Sequence, residues 1–327
     1  MRALITGAAG FIGSHLTSAL LDQGAEVVGL DCFTDFYARE IKEGNVGLNA
    51  GRRGFRFVES RIEDADLKTL LTDVTHVFHL AAQAGVRKSW GTEFREYVDN
   101  NVQASQVLLE ACVGAPLCKF VYASSSSVYG NATKVPMQED DLPRPHSPYG
   151  VTKLAAEQLG ILYHSNYGVP FTAVRYFTVY GPRQRPDMAF HRFMRACVEG
   201  RPIELFGDGD QTRDFTYVAD AVAATIAAGR SGVPGRVYNV GGGSRVTLNQ
   251  ALEAFERVVG SPVMVNRGGV QRGDVRDTLA DTTLAAADLS FAPAVSLQAG
   301  LTAQWVWFQG ALETAALPDL RPGLGAR

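Results

Sequence analysis

The chain has 327 residues, 46% hydrophobic and 20% charged, with a formal net charge of -3. That length buries a full core as one large domain with a lobe or as two domains, while the near-neutral balance leaves no basic field for nucleic acid. No apolar run approaches a membrane span, and the few apolar residues before Thr6 are too short for the core of a signal peptide.

From the N-terminus, Arg2-Ala3-Leu4-Ile5-Thr6 reads as a short buried strand. Gly7-Ala8-Ala9-Gly10-Phe11-Ile12-Gly13 follows at once, and helical apolar spacing (Leu16, Ala19, Leu20) continues to Leu21. Strand, glycine turn and helix in that order form a dinucleotide-binding signal. Gly7 and Gly10 admit backbone approaches closed to other residues, Gly13 permits close packing, and the helix N-terminus offers N–H groups to a pyrophosphate. A second strand, 26–30, ends in Asp31, whose carboxylate suits ribose hydroxyls and repels a 2′-phosphate, favouring NAD over NADP.

Residues 33–53 hold three glycines and no clean period, which predicts a surface loop with a short helical piece. Strands are expected at 55–59 and 75–80, the latter running into Ala81-Ala82, small enough for a ribose to approach the backbone. A long helix is expected over about 91–113. Repeated strand and helix alternation predicts an α/β fold, a Rossmann-type doubly wound parallel sheet.

Lys119-Phe120-Val121-Tyr122-Ala123 reads as a buried parallel strand that delivers four serines, Ser124 to Ser127, to its C-terminal edge. Open α/β sheets place their chemistry at that edge. Tyr149 and Lys153 follow at the start of a helical pattern, four apart and therefore on one helix face. A nearby ammonium stabilises a phenolate, which lets tyrosine remove a proton from an alcohol. Another strand is expected at 170–176.

Beyond it the texture changes. Gly181-Pro182-Arg183-Gln184-Arg185-Pro186 is loop chemistry, a helix resumes at 190–198, short strands alternate with polar turns from 203 to 215, and another strand is expected at 236–240. An amphipathic helix is expected over 247–259, and the last fifteen residues are expected to be a loose tail. Residues 1–178 with about 208–240 are expected to form the NAD-binding domain, and about 179–207 with 241–312 a smaller C-terminal α/β substrate lobe. Cys32, Cys112, Cys118 and Cys197 make no C-x-x-C pair, which suits reduced thiols in a cytoplasm and gives no metal ligation.

The glycine turn, Asp31, the serine row and the Tyr149/Lys153 pair together resemble the extended short-chain dehydrogenase/reductases that act on nucleotide sugars. Within the NAD-dependent epimerase/dehydratase family the chain most resembles UDP-glucuronate 4-epimerases. The stretches that carry this are 34–37, 79–87, 121–130, 175–182, 185–188 and 213–217.

The resemblance implies an epimerase that inverts C4 of UDP-glucuronate to give UDP-galacturonate. Tyr149 would take the hydroxyl proton, retained NAD the C4 hydride, and the 4-keto sugar would turn over before the hydride returns to its other face. Lys153 would bond the nicotinamide ribose, and Ser125 or Ser126 would bridge Tyr149 and the sugar O4. Cofactor contacts are implied for Phe11, Ile12, Leu80, Ala81, Ala82, Asn101 and Tyr176. Thr178 and Arg185, with Ser126 and Ser127, would grip the C5 carboxylate, because guanidinium offers a paired donor fork. Arg213 would face the diphosphate, Phe206 the uracil and Asp274 the uridine ribose, while Arg87 would face the diphosphate, the sugar or only solvent.

The positions that hold acids in related dehydratases and decarboxylases are serines here, which disfavours elimination and decarboxylation. Two departures stand out. Ser60-Arg61-Ile62 replaces the usual Gly-Asp-Ile, leaving adenine to be held more weakly or by Asp64, and Arg272 stands one place late for the expected arginine. The ranked alternatives are a UDP-glucose/UDP-galactose 4-epimerase, a UDP-uronate decarboxylase and a non-catalytic NAD-binding scaffold. A cytoplasmic homodimer joined through the helices at about 91–113 and 148–167 is also implied.

Overall fold

The computed structural model describes residues 1–132, 134–314 and 316–317. Strands β1 (Arg2–Thr6), β2 (Glu26–Asp31), β3 (Phe55–Glu59), β4 (His76–His79), β5 (Lys119–Ser125) and β6 (Phe171–Tyr176) are mostly apolar and, except for the half-exposed edge strand β3, mostly buried. Such strands suit a sheet covered by helices on both faces. They join β10 (Val237–Val240) in a seven-stranded sheet of order β10-β6-β5-β4-β1-β2-β3 in which every pairing is parallel. The order reverses between β1 and β4, so the crevice at their C-terminal ends is the natural ligand site.

Two apolar layers flank the sheet. One gathers Phe11, Leu16, Leu20, Phe78, Val174 and Val218; the other gathers Leu67, Leu108, Phe120, Tyr122, Ala156 and Phe171. The predicted strands and helices recur within a few residues of their expected limits. One difference lies in the segment expected as a helix over 91–113. It is a 3-10 turn (Gly91–Glu93), a short α-helix (Phe94–Tyr97), a π-helical stretch (Val98–Gln103) and a second α-helix (Ala104–Ala111). The wider turn swings Asn101 under the sheet edge, and such π segments recur at functional sites.

After β6 the chain leaves the main sheet. Strands β7 (Thr178–Tyr180), β9 (Thr212–Tyr217) and β11 (Arg245–Thr247) form a three-stranded sheet, and β8 (Ile203–Phe206) pairs with β12 (Val265–Gly268). Helices Ala189–Val198, Leu248–Val259 and Leu297–Glu313 cover them around Phe190, Phe193, Phe255, Leu301 and Phe308. The helix at 248 begins with a reciprocal capping box between Thr247 and Gln250, an arrangement that satisfies two otherwise orphaned N–H groups. Helix Thr283–Leu289 instead returns Ala285, Leu289 and Phe291 to the core beside the seven-stranded sheet.

The expected loose tail needs correction at its start. Glu313 still belongs to the last helix and Leu317 is buried in the lobe core, because an apolar residue there closes the end of the helical layer. Residues 315 and 318–327 of that expectation lie outside the described residues.

Candidate active site

Gly7 leaves β1 with φ of +72°, and a β-carbon there would sit 2.7 Å from the backbone nitrogen of Ala81. At Gly13 a β-carbon would lie 2.1 Å from the Gly7 carbonyl oxygen. Both positions therefore require glycine, one for its conformation and one for the contact between helix and turn. Helix Phe11–Asp22 starts at Gly10 without any side-chain cap, so the amides of its first turn face the cleft as an anion site.

Asp31 ends β2 and accepts hydrogen bonds from the Ala9 and Phe33 amides, each 3.0 Å long. Burial pushes its carboxyl above the usual range, against those amides and Lys42. The cleft running from the glycine turn past Asp31 is also walled by Leu80, Ala81, Ala82, Tyr149, Lys153 and Tyr176. A crevice of donors beside small residues, with a carboxylate at one end, fits a dinucleotide whose ribose carries free hydroxyls.

Three features of this cleft were not anticipated from the sequence. The 33–53 segment supplies Thr34, Phe36, Tyr37 and Lys42 to its wall, and Asn45 hydrogen-bonds the Ala9 carbonyl oxygen. Asn100 lines the cleft, whereas Asn101 is buried and binds the backbone N–H and C=O of Gln83 and the Thr152 hydroxyl. Asn101 thus acts through its neighbours by fixing the strand-end loop to the helix that carries Tyr149. Glu63 and Arg61, rather than Asp64, occupy the far end, since Asp64 points to solvent.

The serine row and the Tyr149 helix meet closely. Helix Pro148–Tyr167 is capped by Ser147, whose hydroxyl accepts from the Gly150 amide, and starts with Pro148 at a first-turn position. A β-carbon at Gly150 would lie 2.5 Å from the Ser127 carbonyl oxygen, so the glycine lets the row dock on the helix start. Ser126 and Ser127 lie on a 3-10 turn, and the Ser127 amide donates to the Ser125 hydroxyl oxygen at 3.1 Å.

Tyr149 is held above the ordinary tyrosine range by burial, opposed by the Arg185 charge and the nearby Ser125 hydroxyl. Of the two serines weighed as partners of Tyr149, Ser125 is the one whose hydroxyl acts on the phenol's ionisation. Lys153 is 3% exposed, lies 4.4 Å above the Tyr122 ring, and is pushed down to about 7 by burial, with Glu157 opposing. Glu157 is fully buried, accepts the Ser124 hydroxyl at 2.6 Å and pairs with Arg175 at 2.6 Å. His79 is also buried, bridging Thr6 and Ser105, and burial holds it near 3 with Lys153 adding to the effect. It is neutral and belongs to the packing.

A second cleft between the sheet edge and the lobe contains Thr178, Phe206, Arg87, Arg213, Arg192 and Asp274. Arg87 and Arg192 lie 4.3 and 5.4 Å from the centre of the Phe206 ring. Arg87 also makes a forked ion pair with Asp274, its shorter arm 2.7 Å, tying the strand-end loop to the lobe. Arg272 is exposed between this region and an apolar groove at Trp90 and Phe94. Arg185 joins the two clefts. It lies in the wall with Tyr149, and its Nε and one terminal nitrogen bind both carboxylate oxygens of Asp187, at 2.9 and 3.0 Å.

A parallel dinucleotide fold carrying a tyrosine, lysine and serine at its strand edge defines the short-chain dehydrogenase/reductase class. The pattern of the NAD dependent epimerase/dehydratase family matches residues 3–241, and the chain belongs to that family. It is 42% identical over 304 residues to a Bacillus subtilis (strain 168) protein described as an uncharacterized UDP-glucose epimerase, covering 92% of this chain and 96% of that one. A probable UDP-glucuronate 4-epimerase of Rhizobium meliloti (strain 1021) is 37% identical over 94% of this chain and 97% of its own. Among solved structures, the Bacillus cereus UDP-glucuronic acid 4-epimerase in complex with UDP-glucuronic acid and NAD superposes with a TM-score of 0.92. It shares 44% identity and covers 95% of this chain and 99% of its own.

Proposed function

We propose that this protein inverts C4 of UDP-glucuronate, giving UDP-galacturonate, with NAD retained in the first cleft. The observation that carries the reading is Arg185 in the same wall as Tyr149 and Lys153, a guanidinium where a C5 carboxylate would lie once the C4 hydroxyl meets the phenol. Bound NAD supplies the hydride acceptor, and later the donor, at sugar C4.

The chain's own residues do the rest. Tyr149 accepts the C4 hydroxyl proton and returns it at the end of the cycle, and the Ser125 hydroxyl, which favours the phenolate, would bridge the phenol and O4. Lys153 holds the ribose and stabilises the phenolate as its ammonium. The C4 ketone of a uronate is a β-keto acid, which loses CO2 when the carboxylate bond aligns with the carbonyl π system. Arg185 and Thr178, with Ser126 and Ser127, keep it out of that alignment. Arg213 and Arg87 take the diphosphate, Phe206 the uracil and Asp274 the uridine ribose, within the lobe cleft. The dinucleotide domain and substrate lobe therefore share one reaction space.

The remaining parts of the reading concern assembly and compartment. Among the described residues no helix is long and apolar enough to cross a membrane, and all four cysteines are unpaired, which suits a reducing cytoplasm. Trp90, Phe94, Val151, Leu162 and Tyr167 are exposed on or beside the helices at 94–111 and 148–167. Their pairing with a second copy would bury a surface unusually apolar for a monomer.

A neutral-sugar 4-epimerase is the second reading, because Asp187 already occupies the Arg185 fork. Incubating purified protein with UDP-glucuronate and with UDP-glucose, without added NAD, separates the two. The uronate is expected to be turned over far faster, and Arg185→Ala to impair the uronate selectively. Preference for UDP-glucose, or equal impairment on both sugars, would make the neutral-sugar reading correct.

A further inference from the structure

Arg185 does not meet an incoming sugar as a bare cation. Its Nε and one Nη hydrogens are taken by the two Asp187 oxygens at 2.9 and 3.0 Å, the forked arrangement a substrate carboxylate would itself adopt. The pair is neither deeply buried nor fully in water, with side chains 22% and 33% exposed, so it can be exchanged. Its surroundings are those of the reacting centre. Arg185 lines the cleft with Tyr149, Lys153 and Ser124, while Asp187 lines the adjoining cleft with Thr178 and Phe36. The Asp187 charge is felt at the Tyr149 phenol in the opposite sense to that of Arg185.

We propose that Asp187 is a positioning and specificity-determining residue, an internal carboxylate that competes with the C5 carboxylate of the substrate for Arg185. The inference rests on the uronate reading above and adds to it the residue that sets how tightly the uronate is held. Three of the five guanidinium N–H groups are not used by Asp187, so the sugar carboxylate either displaces it or binds beside it against its charge. Each route lowers uronate affinity. The effect applies equally to both C4 epimers, because the carboxylate is on C5, so both uronates leave readily after turnover. Without a uronate, Asp187 neutralises Arg185, and a sugar with a C5 hydroxymethyl group does not face an unpaired cation.

The test uses the dinucleotide-loaded enzyme and its Asp187→Asn, Arg185→Ala and double variants, with binding and turnover measured for UDP-glucuronate, UDP-galacturonate and UDP-glucose. Asparagine keeps the size and one acceptor of Asp187 while removing the charge, and thermal melting checks that each variant is folded. For Asp187→Asn, Kd for both uronates is expected to fall about tenfold, the scale of a charge-assisted pair released from competition. KM should fall in step, while Kd for UDP-glucose stays unchanged or rises slightly. In the Arg185→Ala background the same substitution should change uronate affinity by less than about threefold, since the competition acts through the guanidinium. Weaker uronate binding in Asp187→Asn, an equal shift on charged and neutral sugars, or an undiminished effect without Arg185 would overturn the proposal. Failure of the wild type to turn over UDP-glucuronate would instead overturn the underlying uronate reading, and with it this one.

Discussion

Tyr149 and Lys153 carry opposite consequences of the same burial. Both lose hydration in the cleft wall, which raises the phenol and brings the ammonium down to about 7. Replacing Tyr149 with Phe keeps the ring that packs edge-on against Tyr97 at 6.2 Å and removes only the base. Turnover is expected to fall by about 10²- to 10⁴-fold with UDP-sugar binding kept, as read by steady-state kinetics beside calorimetry; near-normal turnover would put the base elsewhere. Lys153 yields a pH prediction with a definite sign. Its folded value of about 7 lies below the ordinary 10.5, so between them the unfolded chain holds more protons and stability rises with pH. The penalty of the buried ammonium is complete below about pH 7 and relieved as pH climbs towards 10. In protein stripped of dinucleotide, the Tm advantage of Lys153→Met over wild type should thus be greatest near pH 6 and shrink by pH 9. A pH-independent difference would contradict the assignment.

At the scale of elements, the glycine turn and the Tyr149 helix were legible because their information is local. A strand, a glycine pattern and a helix follow one another without interruption, and a four-residue spacing fixes which side chains share a helix face. The turn also supports a direct prediction. A β-carbon at Gly13, 2.1 Å from the Gly7 carbonyl oxygen, would wedge helix from turn. Gly13→Ala is expected to cost about 1–3 kcal/mol, as overpacking does, and to lower the copurifying dinucleotide. Urea unfolding and nucleotide released on denaturation measure both, and wild-type values for both would show that the close contact is dispensable. Other elements were not legible for equally physical reasons. The 33–53 segment has no period because it packs irregularly onto the glycine turn through Asn45 and onto the cleft through Phe36 and Lys42. The π turn at 98–103 leaves no mark in an apolar spacing, yet it decides that Asn101 braces the site while Asn100 lines it. The Asp187 fork on Arg185 was hidden because two residues apart in a loop carry no fixed geometry.

Across the whole molecule, the seven-stranded sheet and the smaller sheets that follow β6 are tied by long-range contacts. The Arg87–Asp274 fork is the clearest of these, and its side chains are 41% and 25% exposed. A pair so hydrated contributes little to folding, about 0–1 kcal/mol. Asp274→Asn should therefore barely move Tm, yet weaken UDP binding about tenfold if the carboxylate receives the uridine ribose, as calorimetry with UDP would read. A large loss of Tm with unaltered UDP affinity would make the pair a structural clasp only. The roles proposed for Arg87, Arg213 and Asp274 rest on family resemblance rather than on spacing, since residues 87, 213 and 274 line one cleft only in the folded chain.

The central claim is that one hydride leaves sugar C4 and returns to the same carbon without exchanging with water. Conversion of UDP-glucuronate deuterated at C4, in ordinary water without added NAD, tests it most directly by mass spectrometry and NMR of the product. The account predicts UDP-galacturonate with deuterium retained at C4 and no pentose product. Deuterium lost to solvent, or no conversion by protein that carries its dinucleotide, would contradict it.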